Sequence, residues 1–488
     1  MRQLQLDFMV NSMSTRWIQI LNNIEKEPNF TLVALSKRLS VSQRTLGKDI
    51  NGIKEYFGEH IILCAKQTGY RFEEVNHDCY MDKKADLVKS EILFAVIGQI
   101  FRGELKPFQE LALEYNYGES SFRRFLLRAE KPLKSYDLKL SLNPVTLVGD
   151  EENIRKFFYD FYYLGEYTTH TIQPPKIIHS LILENLSDYL GDYEVGTGVS
   201  AAEFYFLVYL MMNRVQQGKL VTLTFFKKQR ITKAKDFIKL YSLRDLLANA
   251  FNINIPKDEF IWLYLILVAQ RTINQIERER HFYSLFNQRP LIKSVAWKYF
   301  SNSQFEGWDR KILTDLLSSF LASKSLTYTL HPIWNKQLAE ERDQAIVNHS
   351  QAYQTNRQFL RQHQKVLGLG EQFFDDVVVE FTLFTNLLLR TYYPKKSVLF
   401  LLAGNSIVVQ TLYQQAKQRI GHNHRIQLLP LQELTSDRID AEEIDLVVTN
   451  YRPYLWEYSF KKDYLLVNTI PSENDWTRIT KQLNRHLY

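Results

Sequence analysis

Thr31-Leu32-Val33-Ala34-Leu35-Ser36-Lys37-Arg38-Leu39-Ser40-Val41-Ser42-Gln43-Arg44-Thr45-Leu46-Gly47-Lys48-Asp49-Ile50 reads as a helix, a tight turn at Ser40-Val41 and a second helix. Such a pair needs a small residue where the helices cross, apolar residues that lock them, and an exposed polar start to the second helix. Ala34 is expected to supply the first, and Leu35, Leu39, Val41, Leu46, Ile50 and Ile53 the second. Ser42 is placed to cap the second helix, leaving Gln43, Arg44, Thr45 and Lys48 to face outward. The turn carries Ser40 where many such motifs carry glycine.

Working outward, Trp17, Ile20, Leu21 and Ile24 recur at helical intervals from Thr15, and Pro28 stops that helix. Beyond Phe57-Gly58, the run Ile61-Ile62-Leu63-Cys64-Ala65-Lys66-Gln67-Thr68-Gly69-Tyr70-Arg71-Phe72 reads as two short strands around a turn. That is a wing, with Lys66, Gln67 and Arg71 where phosphate contacts position a duplex.

The pattern recurs. Ile92, Leu93, Val96, Ile97 and Ile100 form one helix face, followed by a helix from Phe108, a turn at Asn116-Tyr117-Gly118, and Glu119-Ser120-Ser121-Phe122-Arg123-Arg124-Phe125-Leu126-Leu127-Arg128. Ala112 is now the small residue at the crossing. Phe122, Phe125, Leu126 and Ala129 are expected inside, and Ser120, Ser121, Arg123, Arg124 and Arg128 outside, with Pro132 near the helix end. Residues 138–149 then alternate like a hairpin, a second wing. Two winged modules in tandem suit an extended DNA site, each recognition helix entering its own stretch of major groove.

At this point the sequence resembles the Mga-type family of virulence and global transcription regulators of Gram-positive bacteria. The residues that carry the likeness are Phe30 with the stretch from Thr31 to Leu46, and Ser141-Leu142-Asn143-Pro144-Val145-Thr146-Leu147-Val148-Gly149-Asp150-Glu151-Glu152-Asn153-Ile154-Arg155. The Gly-Asp-Glu run looks like the family's entry into its sugar-phosphotransferase-regulation (PRD) helical domains. The resemblance implies a mainly α multidomain chain: winged helix-turn-helix modules at 1–75 and 76–150, PRD-like all-α domains at 151–272 and 273–393, and at 394–488 an α/β parallel-sheet domain similar to a phosphotransferase EIIB component. It also implies a transcription activator.

The remaining composition fits this organisation. A chain of 488 residues is long enough for about three to five domains. Hydrophobic residues at 45% and charged residues at 24% exclude wholesale disorder. The longest apolar runs, 204–212 and 260–269, fall short of the ~18–20 residues that span a bilayer, and no export signal opens the chain, so a cytoplasmic protein without membrane association is expected. Two cysteines, Cys64 and Cys79, make neither a disulfide framework nor a zinc set. A net charge of +7 is compatible with a polyanionic partner without requiring one.

Aromatic amphipathic helices fill residues 152 to about 390, including Phe157, Phe158, Phe161 and Tyr162. The stretch 205–218 is similar to the PRD helix ending in Arg-x-x-x-Gly, here Arg214 and Gly218. Where phosphorylated PRDs carry histidine seven residues before that arginine, this chain has Leu207. His170, His179, His281 and His331 are the candidates left for a phosphohistidine, and no motif places them. From Ser397 strands alternate with helices, which means a parallel sheet. The Gly404-Asn405-Ser406 turn reads as plain strand-to-helix geometry, and no cysteine follows the first strand to act as an EIIB phosphate acceptor. Asp150-Glu151-Glu152 is explained as acids at a helix start, favoured by its dipole.

No protease, hydrolase, Walker or metal-cluster motif occurs, so no enzymatic role, cofactor or metal is expected. The reading is a regulator bound to double-stranded promoter DNA, acting as a homodimer or larger homo-oligomer through its C-terminal and PRD-like domains, with phosphotransferase-system proteins as further partners. DNA contacts are expected from Ser42, Gln43, Arg44, Thr45, Lys48, Lys66, Arg71, Ser120, Ser121, Arg123, Arg124 and Arg128. The alternative is a PRD regulator acting mainly through protein partners or RNA antitermination. Tandem winged modules speak against RNA, whose A-form major groove is too narrow for side chains.

Overall fold

The computed structural model describes residues 1–186, 194, 197–223, 228–302, 305, 307–422, 424–429, 434–458 and 461–483. They form two compact units, one of Met1–Ile292 with Ser318–Thr382 and one of Lys293–Leu317 with Leu383–Tyr488. No helix among the described residues is long and apolar enough to cross a membrane.

The larger unit opens with the first helix-turn-helix: helices Ser12–Ile24, Leu32–Leu39 and Gln43–Phe57. The first of these begins at Ser12 rather than at Thr15, because the Asn11 side chain caps it by accepting from the Met13 and Ser14 N–H groups. Ser40 takes a left-handed conformation, φ 53°, the geometry that makes glycine common in this turn. Its neighbours compensate, the Ser36 hydroxyl donating to the Val41 carbonyl at 2.7 Å. Strands Ile61–Lys66 and Gly69–Glu74 form the antiparallel wing. A short strand unforeseen from the sequence, Asn29–Phe30, adds to the wing's second strand, and the Pro28 carbonyl accepts from the Phe72 N–H.

One expectation is corrected. Ala34 is exposed, so it does not set the helix crossing. The close approach is at Gly52, where an added Cβ would come within 2.5 Å of the Trp17 ring. Helix Gln43–Phe57 therefore packs closely on helix Ser12–Ile24 as well as on Leu32–Leu39.

Helix His77–Asp86 leads to the second module: helices Ile92–Arg102, Phe108–Glu114 and Glu119–Lys134, then a hairpin of Lys139–Leu142 and Val145–Val148. Ala112 is buried as expected, and Phe122, Leu126 and Ala129 form the inner face with Phe125 half-buried. Pro132 lies inside the third helix, which continues to Lys134. The Val145 N–H donates to the Lys106 carbonyl, tying the hairpin to the loop ahead of the module's second helix.

The chain then enters a helical mass. Helix Glu151–Phe158 continues as a π-helical turn, Tyr159–Tyr163, and packs on helices Ala201–Gln216 and Lys257–Ala269. Every residue from Glu259 to Ala269 is buried, as a helix apolar on all sides must be.

Here a second correction arises. Helix-dipole stabilisation accounts for Asp150, whose side chain caps the helix, but not for its two neighbours. Glu151 takes a two-point contact from Arg214, at 2.9 and 2.8 Å, and a bond from Arg155. Glu152 is buried and accepts the indole N–H groups of Trp262 and Trp334 at 2.8 and 2.7 Å. Arg155, fully buried, pairs with buried Glu259 at 2.7 Å and lies 4.5 Å from the Trp262 ring.

The smaller unit holds a four-stranded sheet, Ser397–Leu401, Arg425–Leu428, Leu446–Thr449 and Tyr464–Leu466, all parallel in the order second, first, third, fourth. Helices Ser406–Ile420 and Glu473–Leu483 cover one face through Ala416, Ile420, Trp476 and Ile479. Asn405 caps the first of these helices, and Asn450 holds the preceding turn by exchanging hydrogen bonds with the Ala403 backbone, at 2.8 and 2.9 Å.

Candidate nucleic-acid interface

In the first module Ser42 caps the recognition helix, its Oγ accepting the Thr45 N–H at 3.1 Å, and the Thr45 hydroxyl lies 2.9 Å from the same oxygen. Gln43, Arg44 and Lys48 are exposed beside it, and neither cation has an ion-pair partner among the described residues. What holds this face rigid is a residue the sequence reading did not select. Asp49 is buried and accepts from Arg16 through two nitrogens, at 2.9 and 3.0 Å, and from the Trp17 indole at 3.1 Å. A single carboxylate thus fastens the recognition helix to its support. Lys66 stands exposed on the wing; Arg71 is exposed too but pairs with Glu73 at 2.8 Å.

In the second module Ser120, Arg123 and Arg124 are exposed and Ser121 is half-buried. Arg123 and Arg124 are without ion-pair partners among the described residues. Arg128 differs, for its guanidinium donates to the Val10 carbonyl at 3.0 Å. Glu91, buried, grips the other side of the same segment by accepting from the Val10 and Asn11 N–H groups at 2.6 and 3.1 Å, and burial pushes its carboxyl pKa up. Because Asn11 caps the first helix of module one and Glu91 precedes the first helix of module two, this clamp couples the two modules. Its partners lie 80 to 118 residues apart, and no local pattern marks them.

The four candidate histidines are not brought together. His170 Nε2 lies 3.1 Å from the Val88 and Lys89 carbonyls, and burial lowers its pKa. His331 sits 3.5 Å from Asp150, its pKa lowered by burial against that neighbour's pull. His179 is exposed against the Tyr205 ring at 4.5 Å, and exposed His281 is 3.7 Å from Glu194. Leu207 is fully buried.

Residues 12–68 match the M protein trans-acting positive regulator (MGA) HTH domain, and residues 84–162 match the Mga helix-turn-helix domain. Both N-terminal modules are thus similar to Mga-type helix-turn-helix domains. It is 28% identical over 313 residues to the capsule synthesis positive regulator AcpB of Bacillus anthracis, covering 62% of this chain and 63% of that protein. To the capsule synthesis positive regulator AcpA of the same organism it is 24% identical over 270 residues, 54% of this chain and 55% of the relative. The chain therefore aligns with just under two thirds, or about half, of the length of these relatives. Both Mga-type domains fall on the two modules just described, and the second match extends through the Glu151 and Arg155 network into the π-helical turn.

Proposed function

We propose that this chain is a cytoplasmic transcription regulator of the Mga type that binds duplex promoter DNA with both N-terminal modules, one recognition helix in each of two major-groove segments. The observation that carries the reading is the pair of exposed recognition helices whose cations, Arg44 and Lys48 in one and Arg123 and Arg124 in the other, have no ion-pair partner among the described residues. Exposed cations without protein partners suit phosphate and guanine contacts. Gln43, Arg44, Ser120 and Ser121, near the helix starts, are the base-reading candidates, and Lys48, Lys66, Arg123 and Arg124 the phosphate contacts. Arg71 is shared with Glu73, and Arg128 serves first as part of the clamp. Activation of target genes is proposed from the printed description of both relatives as positive regulators.

The helical middle is proposed as two PRD-like domains, 151–272 and 273–393, and residues 394–488 as an EIIB-like domain that supports homo-oligomers. A phosphotransferase link would act on an accessible histidine, which favours His179 and His281 over His170 and His331. The test is fluorescence anisotropy of the full chain with promoter duplexes at fixed salt. Arg44→Ala and Arg124→Ala are each expected to weaken binding by about 5- to 100-fold, the range for removing a single base or phosphate interaction, with unchanged thermal midpoints. Parent-like binding by both variants would overturn the proposal.

A further inference from the structure

Within the larger unit, helices Glu151–Phe158, Ala201–Gln216 and Lys257–Ala269 face the segment Lys324 to Leu338 across a cavity of about 390 Å³. That is room for a small metabolite. Four cations line it, and three are already committed: Lys156 to Asp160 at 2.5 Å, Arg271 to Glu279 at 2.8 Å, and Lys324 to Glu380 at 2.5 Å. Lys336 is not. It is half-buried, no carboxylate among the described residues lies within ion-pair distance, and the neighbours of its ammonium are the Tyr136 and Phe373 rings at 4.8 and 5.8 Å. Burial lowers its pKa against the longer-range pull of Asp160 and Asp376, neither of which reaches it as an ion pair.

The wall also carries an anion matched only to neutral donors. Glu203 is buried and accepts from the Tyr159 hydroxyl and the Gln270 amide, both at 2.5 Å. The Trp334 indole N–H is occupied by Glu152, so what Trp334 offers the cavity is ring surface. One uncommitted cation, a carboxylate and amide able to take hydroxyl protons, and an aromatic wall together define a ligand. We propose that this cavity binds a small polyhydroxylated anion, of the sugar-phosphate or sugar-acid class, with its charged group on Lys336 and its hydroxyls toward Glu203 and Gln270. The site makes the helical unit a metabolite receptor, whether or not the N-terminal modules bind DNA.

Isothermal titration of the full chain with glucose 6-phosphate, gluconate, glucose and inorganic phosphate tests this. At least one of the two polyol anions is expected to bind ten-fold or more tightly than glucose and inorganic phosphate. Which of the two does so tells the phosphate source from the carboxylate source. Lys336→Gln is expected to weaken that binding at least ten-fold and Lys336→Arg to retain most of it. Removing an ammonium that makes no ion pair among the described residues should leave the fold intact, and the thermal midpoint of each variant checks this. Absence of polyol-anion binding by the parent, or parent-like binding by folded Lys336→Gln, would overturn the site. Phosphate binding as tight as that of glucose 6-phosphate would overturn the polyol assignment.

Discussion

The two helix-turn-helix modules share a plan and differ in what holds them. Module one braces its recognition helix internally, through buried Asp49 against Arg16 and Trp17 and through the Gly52 contact with the Trp17 ring. Module two lacks a side-chain cap on its recognition helix and runs directly into the buried Glu151, Arg155 and Glu259 network of the helical mass. The first thus braces its exposed helix within itself, with residues ahead of it reaching the helical mass through Gln5 on the Glu166 backbone and Phe8 against Phe157 and Phe161, and the second continues into that mass directly.

The largest expected effect breaks this contrast if it fails. Arg155→Ala leaves Glu259 buried without its cation and should cost about 3–5 kcal/mol of stability, read by chemical denaturation. Asp49→Ala should cost less, about 1–3 kcal/mol. In hydrogen exchange its effect should stay within residues 12–74, whereas Arg155→Ala should loosen module two and the helical mass together. Equal spread of both effects would dissolve the distinction.

A smaller effect sharpens it through pH. Burial pushes the Glu152 carboxyl up to about 7, against indole donors that favour the charged form. A carboxyl raised in the folded state binds its proton more tightly there than in the unfolded chain. Its stabilising contribution is therefore complete below about pH 4.5 and is lost as pH rises through about 7. Denaturation midpoints should fall between pH 5 and 8, less steeply in Glu152→Gln, which keeps an acceptor for the Trp262 and Trp334 N–H groups. Identical slopes in parent and variant would show that Glu152 does not titrate in this window.

How far the sequence carried these conclusions follows from the range of each interaction. Both helix-turn-helix units are written in local spacing, because capping, helix periodicity and turn chemistry act within a few residues, as at Ser42 and Ala112. The alternation that announces the parallel sheet is equally local, since each strand from Ser397 onward is followed by its own turn and helix. Gly52 escaped notice because its partner, Trp17, lies on another helix. Asp150-Glu151-Glu152 invited a helix-dipole explanation, since Arg214, Glu259, Trp262 and Trp334, which give the last two acids and Arg155 their roles, are 63 to 182 residues away. Arg128 looked like one more outward arginine, and only the fold brings Val10 to it.

The most direct measurement of the two-headed reading is the salt dependence of DNA affinity for the parent, for Arg44→Ala with Lys48→Ala, and for Arg123→Ala with Arg124→Ala. If both modules touch the duplex, the slope of log affinity against log salt concentration should become shallower by about one to two in each double variant, about one for each phosphate that the variant no longer neutralises. Slopes identical to the parent's in either double variant would contradict the account, leaving that module without a DNA-facing role.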